Sequence, residues 1–405
     1  MSETLPAHSP VGASTAKRLL ACPLSVGPGV PGVEDDESEH AALGTAVHSM
    51  IEAAFTQRKA AWEFIGQPFY GIIATKSMAN GAQVFLDAVK QHHPYRDQSN
   101  FFVEKRFHCP TIHPLFFGTC DALYIDIATK TLHVWDYKNG AGVIVEVEHN
   151  EQTMYYACGA MEEFNLWKDI KHVVLHIVQP NGFHPNGRVR SWTTTPEELV
   201  IWLEDILVPG IERALSSNEA VSGPHCQFCP KRFGACPALM ADMKELEAVM
   251  QQIDKVGVDA LTPDQVGRFL DLCKRADVVK KAALTTAYRQ MMAGVAINGW
   301  KLVQQMAHRV WKDGAEARAK HDFGESAMTV PELKSPAAID EMPLGTAFTA
   351  EWAQKPDTGL TVAPASDKRK EISRDTKSLF RPVEAVKASP DAPILAPAKR
   401  RSPMT

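Results

Sequence analysis

The chain has 405 residues, 45% hydrophobic and 22% charged, which suits a soluble protein of two or three domains with a sizeable core. No apolar run approaches the roughly 20 residues that span a bilayer, and the opening MSETLPAHSP lacks the basic-then-apolar order of a secretory signal. The expectation is a cytoplasmic protein with no membrane partner, in which eight cysteines serve as thiols or metal ligands rather than disulfides. A net charge of −5 gives no global basic field, so a nucleic-acid partner must be met by charge gathered locally.

In chain order, the pattern predicts a short helix over 13–21, a Pro/Gly/Val-rich loop and an acidic, solvated run over 34–39. An Ala-rich helix over 41–61 follows, carrying His48 and Glu52 one turn apart on one face. Next come a helix over 83–91 and three strands over 101–107, 116–127 and 131–137, separated by turn formers. A helix over 151–164, a strand over 172–179 and a helix over 196–216 complete the pattern, with Pro196 in a first turn. This order implies an α/β domain with a central mixed sheet flanked by helices. From 240 to 296 the chain reads as helical, with Val266, Phe269, Leu270, Cys273 and Ala276 as a core stripe. The helical pattern weakens after Asp313. From Lys368 to Thr405 ten Lys/Arg face four Asp/Glu in a Pro-rich stretch, which reads as a disordered basic tail able to raise DNA affinity.

The segment GTCDALYIDIATKTLHVWDYKNG, residues 118–140, carries the chemistry. Asp121 opens one predicted strand, Asp136 closes the next, and a hairpin can bring them side by side. Two carboxylates about 4 Å apart repel by about 4 kcal/mol at an effective dielectric near 20. A shared divalent cation turns that repulsion into attraction, and hard oxygen ligands suit Mg2+ or Mn2+. Asp136 and Lys138 point the same way along a strand, so a metal on one and the ammonium of the other can act on one phosphate. The Tyr137 carbonyl between them is a further candidate ligand. An isolated Asp-x-Lys is more often a surface pair at a strand end, so the triplet needs company.

That company is Gly44-Thr-Ala-Val-His48 upstream, Gly118-Thr-Cys-Asp121 beside it and Gln152-Thr-Met-Tyr-Tyr156 downstream. With Asp136-Tyr137-Lys138 they form an ordered set over residues 44–156 that resembles the RecB-like branch of the PD-(D/E)XK nucleases. The resemblance implies a restriction-endonuclease-like core in which His48, Asp121 and Asp136 are metal ligands and Lys138 is catalytic. It further implies that Gln152 and Tyr156 position the substrate strand. Glu104, on the strand FFVEKRF, is a weaker ligand candidate whose alternative is a solvent-facing position, and Glu52 is weaker still. His133, His172 and His176 lie on strand patterns without a motif partner and read as structural.

Cys226-Gln-Phe-Cys229 and Cys236 form C-x2-C-x6-C, three thiols short of the fourth ligand that a tetrahedral zinc or a cubane requires. From spacing alone, structural zinc is the better fit. In the cluster-bearing RecB-like nucleases one cysteine precedes the core and three follow it. Cys22, in Arg18-Leu-Leu-Ala-Cys22-Pro23, stands in that first position, so the resemblance implies a [4Fe–4S] cluster on Cys22, Cys226, Cys229 and Cys236. Cys109, Cys120 and Cys158 read as buried apolar residues, with alternation turning Cys120 away from the metal.

The resulting expectation is a nuclease domain over 1–237, a helical region over 238–313, a poorly defined segment over 314–367 and the tail. Its activity is that of a Mg/Mn-dependent deoxyribonuclease. By family habit it is an exonuclease acting on single-stranded or end-processed DNA in phage or prophage recombination or replication, with a recombination or replication protein as a further partner. Asn298-Gly-Trp-Lys-Leu-Val303, Arg309-Val-Trp311 and Pro364-Ala-Ser-Asp-Lys-Arg369 resemble the phage relatives. Trp300 and Trp311 could stack on bases, though core packing is the simpler role. Two alternatives are a catalytically silent DNA-binding module of the same fold and a zinc-stapled interaction protein. The chain holds no G-x-x-x-x-G-K-[ST] phosphate loop, so any unwinding falls to a partner.

Overall fold

A computed structural model of the protein describes residues 9–27, 39–93, 99–304, 310–312, 314–329, 332–333, 335–340, 342, 344–354, 359–364 and 369–372. The chain divides into two units, Met1–Ala282 and Ala283–Thr405. In the first unit, α1 (Ala13–Ala21) and α2 (Glu39–Gln57) precede a minimal hairpin of β1 (Pro68–Phe69) and β2 (Ile72–Ile73), and then α3 (Lys76–Lys90). The strands β3 (Phe101–His108), β4 (Phe117–Asp126) and β5 (Thr131–Tyr137) follow, then α4 (Glu151–Glu163), β6 (His172–Val178) and β7 (Val189–Thr194). The unit continues through α5 (Pro196–Ile201), α6 (Val208–Ser216) and α7 (Pro237–Val256) into α8 (Pro263–Met292), within which the chain divides.

Strands β3 to β7 form one five-stranded sheet in sequence order. β5 and β6 are parallel, joined by the crossover helix α4, and the other neighbours are antiparallel. Every residue of β5 is buried, as a central strand covered on both faces requires. On one face Ala16 and Leu19 of α1, Met154 and Met161 of α4 and Ile211 of α6 pack against Leu123, Val134 and Leu175. On the other, Val47 and Ile51 of α2 and Phe85 of α3 pack against Ala122, Trp135 and Tyr137. The protein is therefore an α/β protein with a mixed central sheet between helices. Among the described residues no helix is long and apolar enough to cross a membrane.

Several elements differ from the sequence reading. The edge strand β7 is absent from it, because six residues with a buried arginine after a Gly/Pro/Asn-rich loop carry little strand signal. The helix predicted over 196–216 is interrupted by a wide π turn over Trp202–Leu207. Pro209 has no N–H to give to the preceding turn, and such a turn tolerates the missing bond. The helix predicted over 240–296 is two helices: Gly257, at φ 80°, ends α7, and Pro263 opens α8. Along α8 the buried positions are Leu272, Val278, Ala282 and Met291, while Leu270 is exposed and Cys273 half-buried, so the predicted stripe is displaced.

In the second unit, Trp300–Gln304 pairs antiparallel with Leu360–Pro364. Trp311 packs on a small core of Ala319, Ala327, Ile339 and Phe348, whereas Trp300 is exposed rather than packed in a core. The acidic run over 34–38 and the basic tail from 373 onward lie outside the described residues.

Candidate metal centre and adjoining cleft

Antiparallel pairing of β4 with β5 sets Ala122 opposite Trp135, and the same register carried one residue further sets Asp121 opposite Asp136. The β3–β4 register likewise brackets Glu104 opposite Asp121, with Val103 facing Ala122 and Lys105 facing Cys120. Three carboxylates thus stand in a row across three neighbouring strands. Glu104 adopts a left-handed backbone, φ 48°, costly for a non-glycine residue and characteristic of functional positions. Alternation breaks at the same level of β4: Cys120 and Leu123 both pack on the α4 side while Ala122 faces α2. The local twist frees Asp121 from a strictly core-facing position and lets it meet His48 of α2.

The His48 Nδ1 lies 3.5 Å from Glu104 Oε1 and 3.5 Å from Asp121 Oδ1. The other carboxylate oxygen, Asp121 Oδ2, accepts the Tyr137 backbone N–H at 2.6 Å, and the Tyr137 ring meets the His48 imidazole edge-on at 5.5 Å. Helix α3 can press on Tyr137 because Gly81 lacks a Cβ, which would fall 2.6 Å from the tyrosine hydroxyl. On the α4 side, Lys138 Nζ stands 2.9 Å from Asp136 Oδ2 and donates to Gln152 Oε1 at 2.7 Å. Gln152 Nε2 in turn donates to the Tyr156 hydroxyl at 3.1 Å. Asn150 caps α4 by accepting the Thr153 N–H at 3.1 Å, which sets Gln152 in the first turn and Tyr156 one turn on.

The electrostatics are those of a negative site withdrawn from water. Burial pushes the carboxyls of Asp121 and Asp136 above the usual carboxylate range, with His48 opposing at Asp121 and Lys138 opposing at Asp136. Burial lowers the His48 pKa, but Asp121 and Glu104 outweigh it and hold the imidazole up at about 9. Asp136 is 1% exposed, and its Oδ2 pairs with Lys138 by charge without a well-directed hydrogen bond. Clustered oxygens around one imidazole, with donor atoms of His48, Glu104 and Asp121 all within 4.8 Å of one another, fit a hard divalent cation. Beside them a cleft of about 470 Å³ is lined by Lys17, Arg18, Lys138, Gln152, His225 and Phe228.

The cleft runs from Lys138 towards the cysteines. Cys22, Cys226, Cys229 and Cys236 are all buried and line one pocket, although about two hundred residues separate the first from the rest. Backbone N–H groups of Val221 and Gly223 donate to the sulfurs of Cys22 and Cys226 at 3.4 and 3.3 Å. Arg18 ties α1 to this loop by donating to the Phe228 carbonyl at 3.0 Å. A single zinc with thiolates at about 2.3 Å would hold the sulfurs within about 4 Å of each other. No three of these cysteines are among the described donor sets gathered within 4.8 Å.

Of the residues singled out from sequence, His48, Glu104, Asp121, Asp136, Lys138, Gln152 and Tyr156 come together, and the four cysteines meet in a separate pocket that shares His225 with the cleft wall. Glu104 belongs to the donor set rather than facing solvent alone, whereas Glu52 is exposed and takes no part. Cys109, Cys120 and Cys158 are buried, as expected. Lys17 and Arg18 of the cleft wall had no motif to mark them. Nor did the second donor trio, His92, His133 and His176, two of whose members read from sequence as structural. Their ligand atoms converge from three elements with no fixed spacing, so only the fold reveals them.

Fold and site together define an α/β protein with a buried carboxylate–histidine centre at a sheet end and a four-cysteine pocket. The chain belongs to the family described as protein of unknown function (DUF2800), which matches residues 8–370. No solved structure matches the chain.

Proposed function

We propose that the protein is a Mg2+- or Mn2+-dependent deoxyribonuclease with a PD-(D/E)XK core. One observation carries the reading: Asp136, Lys138 and Gln152 form a contact chain directly beside the His48–Glu104–Asp121 donor set. Asp121, Asp136 and His48 would hold the cation, with Glu104 and the Tyr137 carbonyl as further donors. The bound ion would supply Lewis-acid activation of a water and charge neutralisation on the phosphate. Lys138, held by Gln152 at the cleft wall, places its ammonium where a scissile phosphate would meet the carboxylates. Tyr156 holds Gln152, and Lys17 and Arg18 offer cationic contacts to a nucleic-acid backbone in the cleft.

The four cysteines are proposed to carry a [4Fe–4S] cluster that clasps α1 to the segment after α6 and so shapes the far end of the cleft. The substrate is proposed to be a DNA strand entering from an end, as in phage or prophage recombination or replication.

The decisive experiment is cleavage of end-labelled single- and double-stranded DNA by anaerobically purified protein with Mg2+ and with Mn2+. Metal-dependent release of short products from the ends supports the reading. DNA left intact by the cluster-loaded protein under both metals rejects it. Colourless protein holding one zinc would replace the cluster by a structural zinc and leave the nuclease question to the cleavage assay.

A further inference from the structure

We propose that His92, His133 and His176 form a zinc-binding site that pins the chain at the C-terminal end of α3 to strands β5 and β6. One ligand atom from each lies within 4.8 Å of the other two. His133 Nδ1 is 3.1 Å from His176 Nε2. Two imidazole nitrogens bound at about 2.0–2.1 Å to one tetrahedral ion stand roughly 3.3 Å apart, so the strand register already sets a near-ligating separation.

Both rings are held in place. Trp135, paired with His176 across the parallel strands, stacks on it at 4.7 Å and 8°, and stacks on His133 at 5.4 Å and 18°. His176 Nδ1 is engaged by the Ser191 hydroxyl at 2.7 Å, which reserves Nε2 for a ligand role and supplies the outer partner that metal-binding histidines usually have. His92 completes the trio with ring centroids 4.6 Å from His133 and 4.9 Å from His176. A merely structural histidine pair would be satisfied by the mutual bond and Ser191. The third ring, exposed and turned onto the same point, is what such a pair does not need.

The ligand chemistry selects the ion. Three imidazoles without a carboxylate favour a borderline cation such as Zn2+ over Mg2+. His133 lies on the α3 face of β5, whereas Asp136 and Lys138 serve the α4 face. Three protein ligands and an exposed His92 leave a fourth position for water.

The test uses full-length, cluster-loaded protein and two readouts that do not involve DNA: Zn2+ content after dialysis, and the visible absorption of added Co2+. The parent should take up one zinc beyond any held by the cysteines, and its Co2+ spectrum should lack sulfur charge-transfer bands. His92→Ala alters an exposed side chain and should stay folded by circular dichroism. It should weaken zinc binding by at least about the 100-fold that loss of an outer partner can already cost, and Ser191→Ala should weaken it about tenfold. Asp136→Ala should leave this zinc in place. Zinc binding as tight in His92→Ala as in the parent, zinc lost in Asp136→Ala, or no zinc taken up at all would each overturn the assignment.

Discussion

His48 and His133 are the same residue type, both drawn largely out of water, yet one is held up at about 9 and the other down at about 4. Burial lowers both. The difference lies in the company: Asp121 and Glu104 stabilise the charged imidazole of His48, while His92 adds like charge against His133. The two donor sets draw on adjacent levels of one ladder, since Trp135 faces His176 and Asp136 faces Ile177. One strand, β5, thus contributes both to an oxygen-rich, negative centre shared with β3, β4 and α2 and to an all-imidazole, neutral one. Their chemistry separates the ions proposed for them: Mg2+ or Mn2+ at the first, Zn2+ at the second.

The sharpest way to break this comparison is to remove the first set. Asp136→Ala should lower metal-dependent DNA cleavage by on the order of 1000-fold or more, with little rescue by extra Mg2+. Lys138→Ala should lose comparable activity yet bind Mn2+ as the parent does, measured by titration calorimetry. Both should bind DNA about as tightly as the parent, and an unchanged cleavage rate in either would sink the proposed roles.

The cysteine set gives the next largest effect. Anaerobic protein should contain roughly four irons per chain. Cys22→Ala should lose most of them and melt lower by roughly 5–10 °C in a thermal scan, because sequence-distant ends are no longer clasped. A variant with undiminished iron content would remove Cys22 from the ligand set.

Gln152→Ala sharpens the picture within the first site. It removes the acceptor that holds Lys138 without touching a metal donor, so turnover should fall about tenfold while the Mn2+ affinity stays the same. Loss of metal binding would instead make Gln152 part of the metal environment.

The smallest effect belongs to His92→Ala. If the two donor sets act independently across the sheet, DNA cleavage by this variant should stay within about twofold of the parent. A larger loss would show that the histidine site and the carboxylate centre are coupled through β5.

Much of the fold could be read from residue patterns. The β5 run Thr131–Tyr137 and the α1 run Ala13–Ala21 match the expected bounds, because continuous burial and a compact apolar stripe are local properties of sequence. Where tertiary context decides, the pattern misleads. The π turn ahead of Pro209 and the face taken by α8 depend on what packs against them. Position 121 does too, since strict alternation would not carry both Cys120 and Leu123 to one side of β4.

The candidate site divides in the same way. Asp136 and Lys138 are two residues apart and Gln152 and Tyr156 four apart, so strand and helix periodicity alone put each pair on one face. Their gathering around Asp121, His48 and Glu104 depends on the register of three strands and the seat of α2. Short-range geometry is encoded in spacing, but convergence across elements is created by folding. For that reason Cys22 needed a family resemblance to be joined to Cys226, Cys229 and Cys236. His92, His133 and His176 had neither spacing nor resemblance, and only the packing of α3 against β5 and β6 brings their nitrogens to one point.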